Sequence, residues 1–123
     1  MQKYNLEDRL IDFAVMILDI ADSLPSGFAA KHLGNQLIRS GTSPALNYGE
    51  VQSAVSKADF VHRMSICLKE LRESEINMKI LKKKGYLGDE KIDKTLKECD
   101  ELIRIFRKSI QTAKQSKDEE IKS

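Results

Sequence analysis

The most constraining feature of the sequence is an apolar repeat in its last third. Apolar side chains recur there at alternating steps of four and three residues: Ile92, Leu96, Cys99, Ile103, Phe106, Ile110 and Ala113. This spacing places all of them along one seam of an α-helix, the pattern with which helices pack at shallow angles in bundles and coiled coils. The seam requires other helices against which it can be buried.

Three earlier segments also have helical spacing. Asn5 can cap a first helix that stops at Leu24-Pro25-Ser26-Gly27, and a second pattern begins near Phe28. A third starts at Ser56-Lys57-Ala58-Asp59, which resembles a capping box, and ends at Lys84-Gly85. The fourth follows Asp89. The expected core positions of the first and third helices are Leu6, Leu10, Phe13, Ala14, Ile17, Leu18, Ala21 and Leu24, then Phe60, Met64, Cys67, Leu68, Leu71, Met78 and Leu81.

Short connections between the segments make each helix antiparallel to the next, because a short loop cannot return the chain to the end where it started. The sequence therefore predicts an all-α fold, an antiparallel up-down four-helix bundle. We expect this domain to span residues 1–113. The polar residues 114–123 are expected to form a disordered tail.

Pro44 interrupts the second helical pattern, so a loop and a kinked helix are both open at this position. A helix that matches the length of its partners has to continue past Pro44, which favours a kink. Thr42 and Ser43 can bond the freed backbone groups through their hydroxyls, and Gly41 lets a neighbouring backbone approach closely. We therefore predict a kink near Pro44.

Composition bears on nucleic-acid binding, on cellular location and on the state of the two cysteines. The 123 residues are 41% hydrophobic and 33% charged, with a net charge of +2, so nucleic-acid binding would need a local basic patch. The first apolar run is too short and too acidic to span a bilayer, which favours a cytoplasmic protein without membrane contact. Cys67 and Cys99 are interpreted as buried free thiols rather than a disulfide or a metal site.

Two sets of residues are candidates for binding surfaces on the third helix. One set is basic: Arg63, Lys69, Arg72, Lys79, Lys82, Lys83 and Lys84. It is interpreted either as a stripe that faces phosphate or as a solvated face with local ion pairs, such as Lys69 with Glu73. The other is apolar and lies off the core stripe: Ile66, Ile76 and Ile80. Val15, Met16 and Ile20 lie similarly outside the main face of the first helix. These residues either widen the core or are covered by another subunit.

No catalytic, cofactor or metal site is expected. His32 and His62 stand alone, without a second ligand at metal-binding spacing. Asn47, Tyr48 and Glu50 have no nucleophile beside them, and we interpret them, with Pro44, as residues of the kink or of a subunit boundary. An enzyme is therefore not expected.

Specific strings in the middle of the chain carry a family resemblance. LIRSGTSPALNYGE, followed by SKADFVHRMSICLKELRES, resembles the four-helix bundle family encoded within intervening sequences of 23S ribosomal RNA genes. That family is similar to the accessory variability determinant of diversity-generating retroelements. The similarity runs from about residue 13 to residue 87, and the fourth helix matches only in its general pattern.

The resemblance implies a ring of five subunits around a channel and no known catalysis. In the retroelement relatives, a basic face is associated with RNA and with a reverse transcriptase. Two hypotheses follow for this weakly basic chain. One is an oligomeric module that binds RNA or DNA, together with a protein partner. The other is a structural scaffold for proteins without nucleic-acid binding.

Overall fold

Four α-helices form the fold, and the computed structural model describes residues 5–116. Helix α1 spans Leu6–Asp22, α2 spans Phe28–Gln52, α3 spans Lys57–Lys84 and α4 spans Asp89–Gln115. Each helix packs against its neighbours in the sequence, and α4 also packs against α1, so α1 and α3 occupy opposite corners. This is the up-down bundle that the sequence predicts. None of the described helices is long and apolar enough to cross a membrane.

The helix ends follow local chemistry. Asn5 Oδ1 accepts from the backbone N–H of Asp8 at 3.2 Å, and Ser56 Oγ accepts from that of Asp59 at 3.1 Å, so both predicted N-caps are confirmed. Asp59 reaches back to the N–H of Val55 at 3.2 Å, one residue before the cap. Gly85 ends α3 in the left-handed region at φ 75°, where a glycine is favoured.

Helix α2 continues through Pro44, so the predicted loop alternative is excluded. The predicted hydroxyl bonding differs in detail. Thr42 Oγ1 donates to the carbonyl of Ile38 at 2.7 Å, one full turn back, whereas the carbonyl that proline deprives of a donor belongs to Ser40. The close approach at Gly41 is also made by the Ile17 side chain of α1 rather than by a backbone.

The core is one cluster formed by all four helices. Its buried members are Leu10, Phe13, Ile17, Ile20, Leu37, Val51, Met64, Cys67, Leu71, Met78, Leu81, Ile92, Cys99, Leu102, Ile103, Phe106 and Ile110. The predicted core face of α3 is confirmed, and most of the α4 seam is buried. The face of α1 was predicted with an error: Ile20 is fully buried, while Leu18 is 39% exposed.

Helix α1 is turned about its own axis so that Ile20, rather than Leu18, faces the core. Phe28, at the start of α2, is 94% exposed and belongs to no core position. Helix α4 continues through Gln115, two residues past the predicted end of the bundle. The remainder of the predicted tail, residues 117–123, lies outside the described residues.

Candidate functional site

The seven candidate basic residues of α3 divide into two groups, of which the first is engaged in ion pairs. Arg63 binds Glu50 of α2 at 2.6 Å and Asp59 of its own helix at 2.9 Å. Lys82 lies 2.6 Å from Asp93 of α4, and this hydrogen bond raises the pKa of its ammonium group. Lys69 approaches Glu73 at 3.9 Å, as the solvated-face interpretation predicts. These three cations are partly neutralised by the bundle itself.

The second group is exposed. Arg72, Lys79 and Lys83 make no ion pair within residues 5–116, while Lys84 lies 5.7 Å from the centre of the Tyr86 ring. Steps of seven and four residues place Arg72, Lys79 and Lys83 on the same side of α3, along ~16 Å of its length. We call these three residues the cation stripe. Its charges remain available to an external anion.

The three isoleucines outside the core face are exposed to solvent. Ile66 is 41% exposed, Ile76 55% and Ile80 47%, so they do not widen the core of a single subunit. Ile76 and Ile80 line a groove of about 660 Å³ between α2 and α3, to which Leu33 and Leu68 also contribute. The base of the groove is therefore apolar and open to water in the single subunit.

Arg39 forms the polar rim of this groove from the α2 side. Its guanidinium donates to Glu70 at 3.1 Å and to Glu73 at 2.8 Å, and so links α2 to α3. The hydrogen bond to Glu73 raises the pKa of Arg39 and, in return, lowers that of the Glu73 carboxyl. Lys69 and Arg72 complete the charged rim. The groove is therefore apolar at its base and predominantly cationic at its edge.

The sequence could not identify Arg39 as a member of this surface. It lies on the outer face of α2, and its partners are more than thirty positions away on another helix. No spacing rule connects positions on two helices. Only the packing of α2 on α3 brings them together.

The four residues that we assigned to the kink or to a subunit boundary occupy separate places on α2. Pro44 is buried inside the helix, and Asn47 donates to the Ser43 carbonyl at 3.0 Å and to its hydroxyl at 2.8 Å, across the position of the proline. Tyr48 contacts the Phe106 ring edge-on at a centroid distance of 6.3 Å. Glu50 binds Arg63 of the same chain. Three of the four thus have partners within the subunit.

The two thiols are buried and free, as predicted. Burial raises the pKa of Cys67 to about 11 and that of Cys99 to about 12, and the Cys99 thiol donates to the Leu71 carbonyl at 3.3 Å. Both groups stay protonated at neutral pH, whereas a nucleophile or metal ligand needs the thiolate. Within the described part of the chain, no cluster of histidine, cysteine and carboxylate side chains is arranged to hold a metal ion. His32 and His62 are exposed on separate helices.

A family assignment accounts for this arrangement of helices. The family model of the 23S rRNA-intervening sequence protein matches residues 2–108, which is most of the chain. The chain belongs to this family. The match includes the α4 seam from Ile92 to Phe106, which the resemblance of the short strings did not reach.

A solved structure supports the assignment of this chain to the 23S rRNA-intervening sequence protein family. A protein of unknown function from the S23 ribosomal protein family of Bacteroides thetaiotaomicron is 27% identical, with a TM-score of 0.73. The alignment covers 85% of this chain and 94% of that one. No curated protein matches the chain at a significant level. Family membership therefore accounts for the fold of this protein.

Proposed function

We propose that the protein is a non-catalytic, oligomeric binding module that engages RNA or DNA through helix α3. The observation that carries this proposal is the cation stripe, three exposed charges on one side of a helix without an ion pair in the described residues. Phosphate oxygens are the natural partners of such a stripe. The buried, protonated thiols of Cys67 and Cys99 are poorly suited to act as nucleophiles.

The oligomer is proposed to be a ring of five subunits, as in the proteins that the sequence resembles. The chain as a whole carries a net charge of only +2, and three cations bind a polyanion weakly on their own. Repeating the stripe around a ring multiplies the charge that one nucleic acid meets. The exposed isoleucines of α3 support self-association because a partner subunit would remove them from water.

A protein partner and a cytoplasmic location complete the proposal. A reverse transcriptase is the partner implied by the resemblance to retroelement accessory proteins. A reverse transcriptase gene beside the gene for this chain would support that role. A position inside a ribosomal RNA gene would instead support the role of an intervening-sequence protein.

The stripe can be tested by charge reversal. We expect wild-type protein to bind a labelled RNA hairpin in fluorescence anisotropy, with an affinity that falls as salt rises. The double variant Lys79→Glu/Lys83→Glu should bind more weakly and with a salt slope smaller by about one for each lysine that contacts a phosphate.

The matched control is Lys31→Glu/Lys94→Glu, which makes the same change of net charge on α2 and α4. This control should bind nearly as well as the wild type. Equal losses in both double variants would mean that net charge alone attracts RNA. Wild-type binding no tighter than that of a neutral protein at low salt would refute nucleic-acid binding altogether.

The second candidate function is a structural scaffold whose partner is another protein. The observation in its favour is that Arg63, Lys69 and Lys82 are engaged within the subunit, while Ile76 and Ile80 line an open apolar groove. Affinity purification should then recover a stoichiometric protein partner that is lost in Ile80→Glu. Recovery of nucleic acid alone would contradict the scaffold.

A further inference from the structure

Helix α1 carries a second exposed apolar stripe, on the opposite side of the bundle from α3. Ile11, Val15 and Leu18 follow one another at steps of four and three residues and are 47%, 51% and 39% exposed. Because α1 and α3 occupy opposite corners of the bundle, their outer faces point in opposite directions. A subunit therefore presents two separate apolar faces, which one partner of its own size cannot cover together.

The charges around the two faces have opposite signs. Helix α1 has one cation, Arg9, which is engaged with Glu98 and Glu101 of α4. Against it stand the carboxylates Glu7, Asp8, Asp12, Asp19 and Asp22. Helix α3 has eight cations and four carboxylates, and three of those carboxylates are already bound by arginines. An acidic apolar face and a basic apolar face thus lie on one molecule.

The two faces also lie at the same height along the bundle. Ile17 of α1 packs against Gly41 of α2, and the adjacent Ser40 bonds its hydroxyl to that of Ser74 on α3 at 2.8 Å. Ile17 and Ser74 are therefore level. Since α1 and α3 run in the same direction, Ile11 to Leu18 lie level with residues ~68 to ~75 of α3. This interval falls between Ile66 and Ile76.

From these observations we infer that the outer face of α1 in one copy of the chain packs against the outer face of α3 in the next copy. Ile11, Val15 and Leu18 would cover Ile66, Ile76 and the apolar groove beside them. Asp12 and its acidic neighbours would face Lys69 and Arg72 on the groove rim, which leaves Lys79 and Lys83 of the cation stripe to a nucleic acid. The inference rests on the self-association part of the proposed function and identifies the surfaces that make it.

The contact is head-to-tail, because each copy contributes a different face to each of its two neighbours. Repeated contacts of this kind either close into a ring or continue as a filament. Because the two faces lie at equal height, successive copies are added with little translation along the bundle axis. A ring closes if each contact also turns the next copy by a constant fraction of a full turn.

Mixing two blocked variants tests the head-to-tail contact. Val15→Glu puts a charge in the α1 face, and Ile76→Glu puts one in the α3 face. By size-exclusion chromatography with light scattering, each variant alone should be a 14.0 kDa monomer while the wild type is larger. An equimolar mixture should give a dimer of one copy of each, because one intact α3 face then meets one intact α1 face.

Other interfaces give different results. If α3 faces paired with each other, Val15→Glu would still associate alone; if α1 faces paired, Ile76→Glu would. Either result overturns the inference, as does a mixture that stays monomeric or a monomeric wild type. Circular dichroism checks that the variants fold, and Ile11→Glu with Ile80→Glu provides a second pair.

The experiments distinguish failure of the α1–α3 contact from failure of RNA binding by the cation stripe. A wild-type oligomer that both variants leave intact overturns the α1–α3 contact and leaves RNA binding to be decided by Lys79 and Lys83. A monomeric wild type that still binds RNA overturns the assembly and leaves the cation stripe in place.

Discussion

At the scale of single residues, Gly41 shows how closely α1 and α2 approach. A Cβ atom built on Gly41 would lie 2.6 Å from both Cγ1 and Cγ2 of Ile17, which is itself fully buried. Since Ile17 is surrounded by the core, it cannot move aside without disturbing other contacts. The glycine is required here by space, although it weakens the helix that contains it.

We therefore expect Gly41→Ala to lower the free energy of unfolding by about 1–3 kcal/mol, because overpacking outweighs the better helix propensity of alanine. Gly49→Ala is the matched control, since nothing lies within 4 Å of a Cβ atom at that position of α2. It should raise the free energy of unfolding by about 0.5–1 kcal/mol. Urea unfolding at one protein concentration measures both, and equal effects of the two substitutions would contradict the steric explanation.

At the scale of elements, helix α2 is maintained through Pro44 by hydrogen bonds on both sides of it. Thr42 bonds the Ile38 carbonyl before the proline, and Asn47 bonds the Ser43 carbonyl after it. Bundle packing on α1 and α3 supplies the rest, since a proline inside an isolated helix costs about 3 kcal/mol. Helix α3, by contrast, begins at a local signal that needs no tertiary contact.

That local signal can be removed without touching the core. Ser56→Ala deletes the acceptor for the Asp59 N–H, and we expect it to lower the free energy of unfolding by about 1 kcal/mol. Ser53→Ala, in the same connection between α2 and α3, should change it by less than about 0.5 kcal/mol because its backbone N–H, not its hydroxyl, bonds the end of α2. A Ser56→Ala protein as stable as Ser53→Ala would show that the cap contributes nothing.

At the scale of the whole molecule, α1 and α4 are the least closely packed pair of neighbouring helices. Polar side chains join them. Arg9 Nε lies 2.6 Å from Glu98, its Nη2 also binds Glu98 and Glu101, and Lys91 donates to the Ser23 hydroxyl at 3.0 Å. The Arg9 side chain is only 13% exposed, so its charge is largely removed from water.

Loss of the Arg9 ion pairs should weaken the contact between α1 and α4. We expect Arg9→Gln to lower the free energy of unfolding by about 1–3 kcal/mol, because Glu98 would lose its charged partner at a partly buried position. Arg104→Gln removes an exposed pair with Asp100 within α4 and should cost less than about 0.5 kcal/mol. Amide hydrogen exchange should also become faster in α1 of Arg9→Gln. Unchanged exchange there would contradict the idea that Arg9 holds α1 against α4.

Much of the fold was predictable from the sequence because it depends on local rules. Asn5, Ser56 and Gly85 end or begin helices through bonds within a few residues of themselves, and the steps of four and three mark the seam of α4 wherever its partners lie. The angles of Ile66, Ile76 and Ile80 around α3 placed them off the core stripe, but whether they widen the core was left open, and the structure exposes all three.

Tertiary structure alone decided which face of each helix is turned inward and which charges meet. Ile20 is buried and Leu18 exposed because of how α1 is rotated against its neighbours, a choice that the broad apolar stripe of α1 left open. Helix packing likewise pairs Arg63 and Lys82 with carboxylates and leaves Lys79 and Lys83 exposed. The physical reason is that caps and periodicity act over one or two turns, whereas ion pairs and rotation depend on distances between helices that are remote in sequence.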